Sequence, residues 1–583
     1  METKQDNHKA REFQFKTSRS MIRKTQSGVN ASISSKDLKK QKLTLNLPAF
    51  FAFMLFQKNN FLKAASHENG VSRRLFLGYA AALYSIPTIG QTANIKHRMK
   101  FASNPFSLGV ASGDSNSTST VLWTRLAPEP LDPNGGMPNL AVPVKWRVST
   151  DDNMKNIVAS GQQLATPQLG HSVHVTVGQL KPDKWYWYQF SVNGEESVVG
   201  RTRTMPKRFT SPEQMSFAFA SCQSLEQGYF TAYDSMAQDE LDLVFHLGDY
   251  IYEYTAGNQG TIRKHHGKEI ESLSDYRVRH AQYKMDPLLQ KMHARCPWFV
   301  TWDDHELDNN CADDISEQKN VKPIDFLIRR AAAYQAYYEN MPLRRTSIPS
   351  GPSMQLYRKG SFGQLAEFMV LDGRQYRSNQ PNNDVRSPLN KAALNPSITM
   401  LGTKQNNWLK QSLIQSHGTW NILAQQVMMG MVGTPNSKNP MNYSMDQWPG
   451  YTYERMDLLR FMADRKILNP VVLTGDIHSN WANELRVNDR KMDTPSVATE
   501  FVGTSIASGG DGQDRIKDQD KLLSDNPFIK FHNRQRGYVK CTLTQKTWTT
   551  DFMVADKVTT PDGKVTKRTS LVLENGSPTI QQA

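Results

Sequence analysis

The sequence predicts a polar leader followed by two folded parts, a β-rich domain and a larger α/β domain. Three observations indicate this organisation. Residues 1–100 are basic and polar, residues 101–207 contain short runs that alternate apolar and polar side chains, and residues 214–556 alternate strand-like with helix-like segments. Residues 557–583 are expected to form a C-terminal tail. A chain of 583 residues is long enough for two domains with sizeable cores.

Most of the positive charge belongs to the leader. The chain has a formal net charge of +15, but residues 1–100 contain 18 Lys and Arg against 5 Asp and Glu, and the rest contains 52 against 50. The folded body is therefore close to neutral, and no nucleic-acid recognition is expected. The four cysteines are too few for a disulfide framework, and none forms a Cys-x-x-Cys pair.

A twin-arginine pair stands in front of an apolar run near the end of the leader. Arg73 and Arg74 are followed by the moderately apolar residues 78–89, so residues 71–93 are typical of a twin-arginine export signal. Met54 offers a second possible start that would leave a leader of ordinary length. We expect the twin-arginine export machinery to carry the protein to a periplasmic or extracellular location, without a stable membrane anchor.

The β-rich domain shows the alternation of half-buried strands. Residues 121–126, 142–148, 173–177 and 185–190 alternate with period two, and Gly, Pro, Asn and Asp clusters separate them. Several short strands over about 100 residues are typical of a β-sandwich of immunoglobulin or fibronectin type. His174 alternates with three valines, so its side chain is expected to face solvent.

Four apolar strands of the α/β domain end in side chains that can bind metals. Strand ends of one sheet lie close together, so these side chains are expected to converge on one multi-metal centre. The alternative is that the strand-end residues are turn caps, which would require the same coincidence four times. The residues are Cys222 after the first strand, Asp249 and Tyr252 after the second, Asp303, Asp304, His305 and Asn309 after the third, and Asp476 and His478 after the last.

These motifs carry a family resemblance. Gly-Asp-x-x-Tyr at 248–252, Trp-Asp-Asp-His-Glu at 302–306 and Gly-Asp-x-His at 475–478 resemble the calcineurin-like metallophosphoesterases. They are most similar to the PhoD-like alkaline phosphatase/phosphodiesterase family. The resemblance implies a metallophosphatase domain with layered sheets and flanking helices. It also implies hydrolysis of small phosphate esters, monoesters or diesters, by a metal-activated oxygen, for phosphate acquisition.

The resemblance also implies two kinds of metal ion, Fe(3+) and Ca(2+). Phenolate and thiolate ligands suit ferric iron, and carboxylate and amide oxygens suit calcium. The implied iron ligands are Cys222, Asp249, Tyr252 and His478, and the implied calcium ligands are Asp249, Asn309 and Asp476, with Asp304 as a further metal ligand.

Two residues are candidates for the catalytic roles. Asp249 would bridge the metals, and His305 would protonate the leaving group, with Glu306 orienting His305. The alternative for His305 is a purely structural role beside the metals. Arg374 and Arg377 would either contact substrate phosphate or serve as structural ion-pair partners.

Three alternative functions remain open at this point. A purple-acid-phosphatase-like enzyme shares Gly-Asp-x-x-Tyr, although Asp304 stands where that class has Asn. A phospholipase-D-like phosphodiesterase is the second alternative, and a non-enzymatic exported binding protein is the third. Residues 255–275 and the tail after residue 556 are candidate lids, and His265 and His266 are expected to be solvated loop residues.

Overall fold

The residues predicted to be β-rich form eight strands. The computed structural model describes residues 100–435 and 441–583, so the predicted leader and its twin-arginine segment lie outside the described residues. The strands are β1 (Val110–Gly113), β2 (Thr120–Arg125), β3 (Val142–Ser149), β4 (Ile157–Ala165), β5 (Ser172–Val177), β6 (Trp185–Val192), β7 (Glu195–Glu196) and β8 (Gly200–Arg203).

Strands and helices alternate through most of the remaining chain. Within the described ranges, no helix combines the length and the apolar composition that a membrane crossing requires. The strands are β9 (Gln214–Ala220), β10 (Leu243–His246), β11 (Trp298–Val300), β12 (Arg358–Phe362), β13 (Ala366–Val370), β14 (Trp420–Ala424), β15 (Pro470–Thr474), β16 (Asn480–Leu485), β17 (Ala498–Val502), β18 (Ile529–Asn533), β19 (Gly537–Thr544), β20 (Thr547–Ala555), β21 (Val565–Glu574) and β22 (Gln581–Gln582). The α-helices are α1 (Thr231–Met236), α2 (Leu273–Lys284), α3 (Pro287–His293), α4 (Pro323–Asn340), α5 (Gly402–Ile414), α6 (Thr452–Asp464) and α7 (Gln519–Asp525).

The strands form three sheets. A ten-stranded sheet has the order β22-β21-β20-β19-β9-β10-β11-β1-β2-β5, and a seven-stranded sheet has the order β12-β13-β14-β15-β17-β16-β18. A five-stranded sheet contains β4-β3-β6-β7, with β8 paired to β6. In the first sheet β9, β10 and β11 are parallel neighbours, and in the second β13, β14, β15 and β17 are parallel. Parallel neighbours bring their carboxyl ends to one edge of each sheet.

The two large sheets pack face to face across an aromatic core. Phe245 of β10 packs against Phe368 of β13 at 5.2 Å between ring centroids, and Phe299 of β11 packs against Phe368 at 4.8 Å. Side chains alternate along β9, so Phe217 and Phe219 enter this core and the small residues of the strand face the helices. Helices α2 and α4 cover the outer face of the ten-stranded sheet, and α5 and α6 cover that of the seven-stranded sheet.

The N-terminal strands are divided between two sheets. Strands β1, β2 and β5 extend the ten-stranded sheet, since β1 pairs in parallel with β11 through Gly113 and Trp298. The remaining N-terminal strands form the five-stranded sheet and pack on β2 and β5 through one shared core. The β-rich prediction is therefore confirmed at the level of sheets, and the sheet continues across the predicted domain boundary near residue 207. The immunoglobulin or fibronectin type remains a prediction.

The expectation that His174 faces solvent is wrong. The residue is 8% exposed, and its Nε2 lies 2.9 Å from the carbonyl oxygen of Tyr338 and 3.0 Å from that of Met341. Its ring also stacks on Tyr338 at 4.5 Å. His174 does lie on the face of β5 opposite its three valines, but helix α4 covers that face and excludes water from it.

The C-terminal tail is part of the ten-stranded sheet, so the expectation of a lid there is corrected. Strand β21 pairs with β20 over almost its full length. Its residues Leu571 and Leu573 are 5% and 1% exposed and belong to the core between the two large sheets. Leu571 and Leu573 stand two residues apart in the strand, so both side chains point to the same face of the sheet and make that face apolar.

Truncation of a buried β21 side chain is expected to destabilise the whole fold. Leu573→Ala removes apolar area from the shared core and should lower the free energy of unfolding by about 2–5 kcal/mol. Thr566→Ala changes an exposed position of the same strand and should cost less than about 0.5 kcal/mol. Urea unfolding of both variants measures the difference. Equal, small effects would contradict the placement of β21 in the core.

Candidate active site

The four predicted strand ends meet in one place. Strands β9, β10 and β11 deliver their terminal loops side by side, and β15 of the facing sheet delivers the fourth. Three groups of side chains could hold a metal ion, with the ligand atoms of each group lying within 4.8 Å of one another. The groups are Cys222, Asp249 and His478; Asp249, Asp304 and His305; and Asp303, Asp304 and Asp476. These groups contain seven different residues. Together with Tyr252 we call them the strand-end cluster.

Left-handed backbone turns aim several of these side chains into the cluster. The φ angles are 58° at Cys222, 54° at Asp249, 67° at Asp476 and 51° at His478. A non-glycine residue in this region costs about 1–2 kcal/mol, so the surrounding structure must hold each turn. Such strain is common at functional sites, and the sequence motifs give no direct signal of it.

A glycine precedes each cluster aspartate of the Gly-Asp motifs because two loops approach closely there. At Gly248, whose φ is +115°, an added Cβ would lie 2.3 Å from Cβ of Asp303. At Gly475 an added Cβ would lie 2.3 Å from Oγ of Ser221. Both contacts are far shorter than real Cβ contacts, so a side chain at either position would push apart the loops that form the cluster.

Tyr252 lies between the cysteine, aspartate and histidine positions. Its hydroxyl donates to Oδ2 of Asp249 at 3.1 Å and lies 3.3 Å from Nε2 of His478. Ser508 donates from Oγ to the same hydroxyl at 2.7 Å. Burial raises the pKa of Tyr252 well above its usual value, and the charge of Asp249 adds to this. Sequence reasoning missed Ser508, which stands in a loop after β17 with no motif around it.

Two carboxylate oxygens of the cluster are buried without a partner. Within the described residues, Oδ1 of Asp249 and Oδ2 of Asp303 are inaccessible and accept no hydrogen bond. Burial raises the pKa of Asp249 well above its usual value, and burial likewise raises the pKa of Asp303 to about 7. Buried carboxylates of this kind are stabilised by a cation, so the donor set fits a bound metal.

Arg374 is the central cation of the cluster. Its buried guanidinium donates to Asp303, lies 3.1 Å from Asp446 and 3.4 Å from Asp476, and lies 3.6 Å from Asp304. Burial raises the pKa of Asp304, but Arg374 and His305 outweigh it and hold that pKa below its usual value. Of the two roles considered for Arg374, this geometry favours the structural ion-pair partner.

Arg377 supports the same cluster from behind. It is 1% exposed, its Nη2 lies 2.7 Å from Oδ1 of Asp446, and it also donates to the carbonyl oxygen of Asn310. Asp446 therefore joins both arginines. Sequence reasoning missed Asp446 because it lies in a long irregular segment, where no strand ends and no motif marks it.

Glu253 orients His305, and the expectation that Glu306 does so is wrong. Nδ1 of His305 lies 2.8 Å from Oε2 of Glu253. Burial lowers the pKa of His305, but Glu253 and Asp304 outweigh this and raise it well above its usual value. Oε1 of Glu253 also accepts from the backbone N–H of Asn309 at 3.1 Å, which ties the 304–310 turn to the same carboxylate.

The carboxylate of Glu306 accepts hydrogen bonds from backbone N–H groups and not from the His305 side chain. It accepts from the N–H groups of Asp303 at 2.7 Å, Asp249 at 3.0 Å and Tyr250 at 2.5 Å. One buried carboxylate thereby joins the loops after β10 and β11. The sequence places Glu306 directly after His305, but the turn points the two side chains in different directions.

The segment predicted as a lid at 255–275 is fixed by a buried carboxylate. Glu226 is fully buried and accepts from the N–H groups of Gly257 at 2.6 Å, Gln259 at 3.1 Å and His265 at 2.9 Å. His265 is itself 4% exposed and lies 2.9 Å from the hydroxyl of Tyr283. His266 is exposed as expected, and the expectation of a solvated His265 is corrected.

Tyr250 fixes the loop between Asp249 and Tyr252 from the helix side. Its hydroxyl lies 2.8 Å from Nε2 of His293 and accepts from Nζ of Lys284 at 3.1 Å. Lys284 is 1% exposed and lies 4.3 Å from the centroid of the Trp123 ring. Burial lowers the pKa of Lys284 to about 7.

Two family profiles match the sequence in succession. Residues 217–552 match the PhoD-like phosphatase profile, and residues 91–206 match the profile of the PhoD-like phosphatase N-terminal domain. The chain belongs to the PhoD-like phosphatase family. The resemblance inferred from the strand-end motifs is therefore confirmed.

Individual relatives of the PhoD-like family agree with this assignment. Alkaline phosphatase D of Bacillus subtilis (strain 168) is 48% identical over 524 residues, which cover 88% of this chain and 89% of that protein. A solved structure of PhoD is 49% identical and has a TM-score of 0.81, with coverage of 83% of this chain and 93% of that one. The predicted enzyme class, a phosphoric ester hydrolase similar to alkaline phosphatase D, is confirmed, and the non-enzymatic alternative is excluded.

The buried lysine behind the Asp249 loop predicts a distinctive pH dependence of stability. The pKa of Lys284 in the folded protein, about 7, lies below its usual 10.5, so the unfolded chain binds more protons between these values. Stability due to this group must therefore rise as pH increases from 7 towards 10.5, by about 1.4 kcal/mol per unit.

Lys284→Met removes this contribution. The free energy of unfolding of the wild type is expected to rise by about 2 kcal/mol relative to that of the variant between pH 7 and pH 9. Urea unfolding across that range measures the gain. Lys404→Met, at an exposed position of α5, should follow the wild type at every pH. Parallel profiles for the wild type and Lys284→Met would contradict a buried lysine at this position.

Proposed function

We propose that this phosphatase hydrolyses phosphate esters at the strand-end cluster, with Fe(3+) and Ca(2+) as its metal ions. The observation that supports this most is the meeting of Cys222, Asp249 and His478 within ligand distance, with the Tyr252 hydroxyl against two of them. The unpartnered oxygens of Asp249 and Asp303 add to it, because both need a cation nearby.

The donor types divide between the two proposed metals. Thiolate, phenolate and imidazole favour a trivalent iron, which we assign to Cys222, Tyr252 and His478 together with Asp249. Oxygen ligands favour calcium, which we assign to Asn309 and Asp476 together with the same Asp249, and Asp304 supplies a further carboxylate. Bound here, the metals would neutralise phosphoryl charge and lower the pKa of water.

The protein side chains have separate tasks in this proposal. Asp249 belongs to both proposed ligand groups, so its carboxylate would help to hold both metals. The buried guanidinium of Arg374 forms ion pairs with Asp303, Asp304 and Asp476 and so holds these carboxylates in place. Mutual repulsion among these carboxylates is reduced by the guanidinium, which keeps them close enough to share cations.

His305 is the proposed general acid. Glu253 fixes the ring through Nδ1, and the Tyr252 ring packs against it at 4.3 Å between centroids, tilted by 30°. Burial lowers the pKa of His305, but Glu253 raises it, and a raised pKa favours the protonated ring that a general acid needs. In the proposed step that proton passes from Nε2 to the leaving oxygen as its bond to phosphorus breaks.

The substrate is a small phosphate ester, and phosphate acquisition outside the cytoplasmic membrane is the proposed role. Support for export comes from Arg73, Arg74 and the apolar run after them, which would engage the twin-arginine machinery. No retained membrane anchor is part of the proposal. Activity of the phospholipase-D-like phosphodiesterase type would use the same cluster on a different ester.

The metal assignment predicts a coloured protein. Protein purified with its native metals should contain iron and calcium by elemental analysis and show a visible charge-transfer band from Tyr252. Tyr252→Phe should abolish the band, and Asp249→Asn should lower hydrolysis of a chromogenic phosphate ester by about 10³-fold or more. Tyr453→Phe, at an exposed tyrosine of α6, is the matched control and should change neither readout. A colourless, iron-free and fully active protein would contradict the assignment of iron.

The general-acid assignment predicts a dependence on the leaving group. His305→Ala should slow hydrolysis of an alkyl phosphate by about 10²–10⁴-fold, because the alkoxide needs a proton. A nitrophenyl phosphate, whose leaving group is stable as an anion, should lose no more than about tenfold. Glu253→Gln should show the same dependence on the leaving group, with smaller losses. His266→Ala, at an exposed histidine, is the control and should slow the hydrolysis of neither ester. Equal losses for both esters would assign His305 a structural role.

A further inference from the structure

An exposed arginine, Arg534, directly follows strand β18 beside the strand-end cluster. Strand β18 pairs antiparallel with β16, and Asn533 stands opposite Asn480. The side chains of this pair are also bonded, with Nδ2 of Asn480 donating to Oδ1 of Asn533 at 3.2 Å. Because β16 begins two residues after His478, this register places Arg534 alongside the His478 turn.

The backbone around Arg534 is fixed on both sides. Its N–H donates to the carbonyl oxygen of Gln513 at 3.1 Å, and its own carbonyl oxygen accepts from Gln513 at 3.3 Å. At Gly512, where φ is +74°, an added Cβ would lie 2.0 Å from that carbonyl oxygen, so a side chain there is excluded. Two residues later, Nη1 of Arg536 donates to the carbonyl oxygen of His478 at 2.5 Å.

The loop that supports Arg534 also borders the cluster. Ser508, which donates to the hydroxyl of Tyr252, begins a glycine-rich segment at 509–512. Nε of Arg536 donates to the carbonyl oxygen of Gly510 at 2.9 Å, and a Cβ added at Gly510 would meet no atom within 4 Å. The backbone at Gly510 is therefore open to solvent, while Arg536 ties the same segment to the His478 turn.

Arg534 carries a charge that the described part of the chain does not neutralise. The side chain is exposed and has no ion pair or hydrogen bond to any described residue. Arg374 and Arg377, by contrast, are bound to carboxylates. Arg536, two residues further along the same segment, donates to the carbonyl oxygen of His478, so the charge of Arg534 is held next to the His478 turn by the backbone.

We propose that Arg534 binds the solvent-facing phosphoryl oxygens of the substrate and so favours dianionic phosphate monoesters over monoanionic diesters. The inference rests on the proposed function, since it places the phosphoryl group at the strand-end cluster. A guanidinium offers two parallel N–H donors to a phosphoryl group with two free, charged oxygens. A diester exposes one negative charge in place of two and gains correspondingly less.

The test compares two esters with the same leaving group, p-nitrophenyl phosphate and bis(p-nitrophenyl) phosphate, at pH 8. Arg534→Gln should raise KM for the monoester about tenfold with kcat changed less than about twofold, because a ground-state charge contact is lost. KM for the diester should rise less than about threefold. Arg534→Lys, which keeps the charge but not the fork, should restore part of the monoester KM.

Controls separate this inference from the function on which it rests. Arg515→Gln removes another exposed arginine of the same region, paired with Asp520, and should leave both KM values unchanged. Added salt should raise the monoester KM of the wild type more than that of Arg534→Gln. Metal content should be equal in all variants. If the wild type hydrolyses both esters and Arg534→Gln alters both KM values equally or not at all, the inference fails alone. If the wild type hydrolyses neither ester, the proposed function fails.

Discussion

The strand-end cluster depends on the contact between one buried guanidinium and several buried carboxylates. Arg374 touches Asp303, Asp304, Asp446 and Asp476, and all of these groups lie out of water or nearly so. Burial alone would protonate the acids, as the raised pKa values of Asp303 and Asp476 indicate. The guanidinium allows the acids to stay close, yet it cannot balance them all, and the remaining negative charge is what attracts metal ions.

The fold supplies the rigidity that this crowding requires. Each cluster loop begins where a strand of a large sheet ends, and two facing sheets fix those ends through a shared aromatic core. The left-handed turns at Cys222, Asp249, Asp476 and His478 persist because the strands before them cannot shift. Gly248 and Gly475 then let neighbouring loops approach to distances that a side chain would forbid. Rigid strands and strained turns are thus parts of one arrangement.

How far the sequence predicts this site depends on whether the information is local. The Gly-Asp motifs and the strand ends are local patterns, and they are sufficient to predict that Cys222, Asp249 and His478 lie in one site. The partner of His305 is not local, because Glu253 and Glu306 are both glutamates near the motif and only the direction of the 304–310 turn chooses between them. No sequence motif or strand end marks Asp446 as part of the site. The placement of β21 and the burial of His174 depended on which elements cover them, and alternation cannot reveal that.

Arginines in this molecule differ in function because they differ in burial. Arg374 and Arg377 are almost fully buried and bound to carboxylates, so their charges are used within the protein and set the spacing of the acids. Arg534 stands in solvent on a fixed backbone, and its side chain forms no ion pair with the part of the chain that the structure describes. The sequence alone does not distinguish the buried Arg374 and Arg377 from the exposed Arg534. In the proposed function, the metal ions and the phosphoryl anion would lie outside the carboxylates that Arg374 holds, and Arg534 would supply a cation at the outer end of that alternation. A phosphoryl group held from both sides is fixed for attack, and its charge decides how strongly the outer contact holds it.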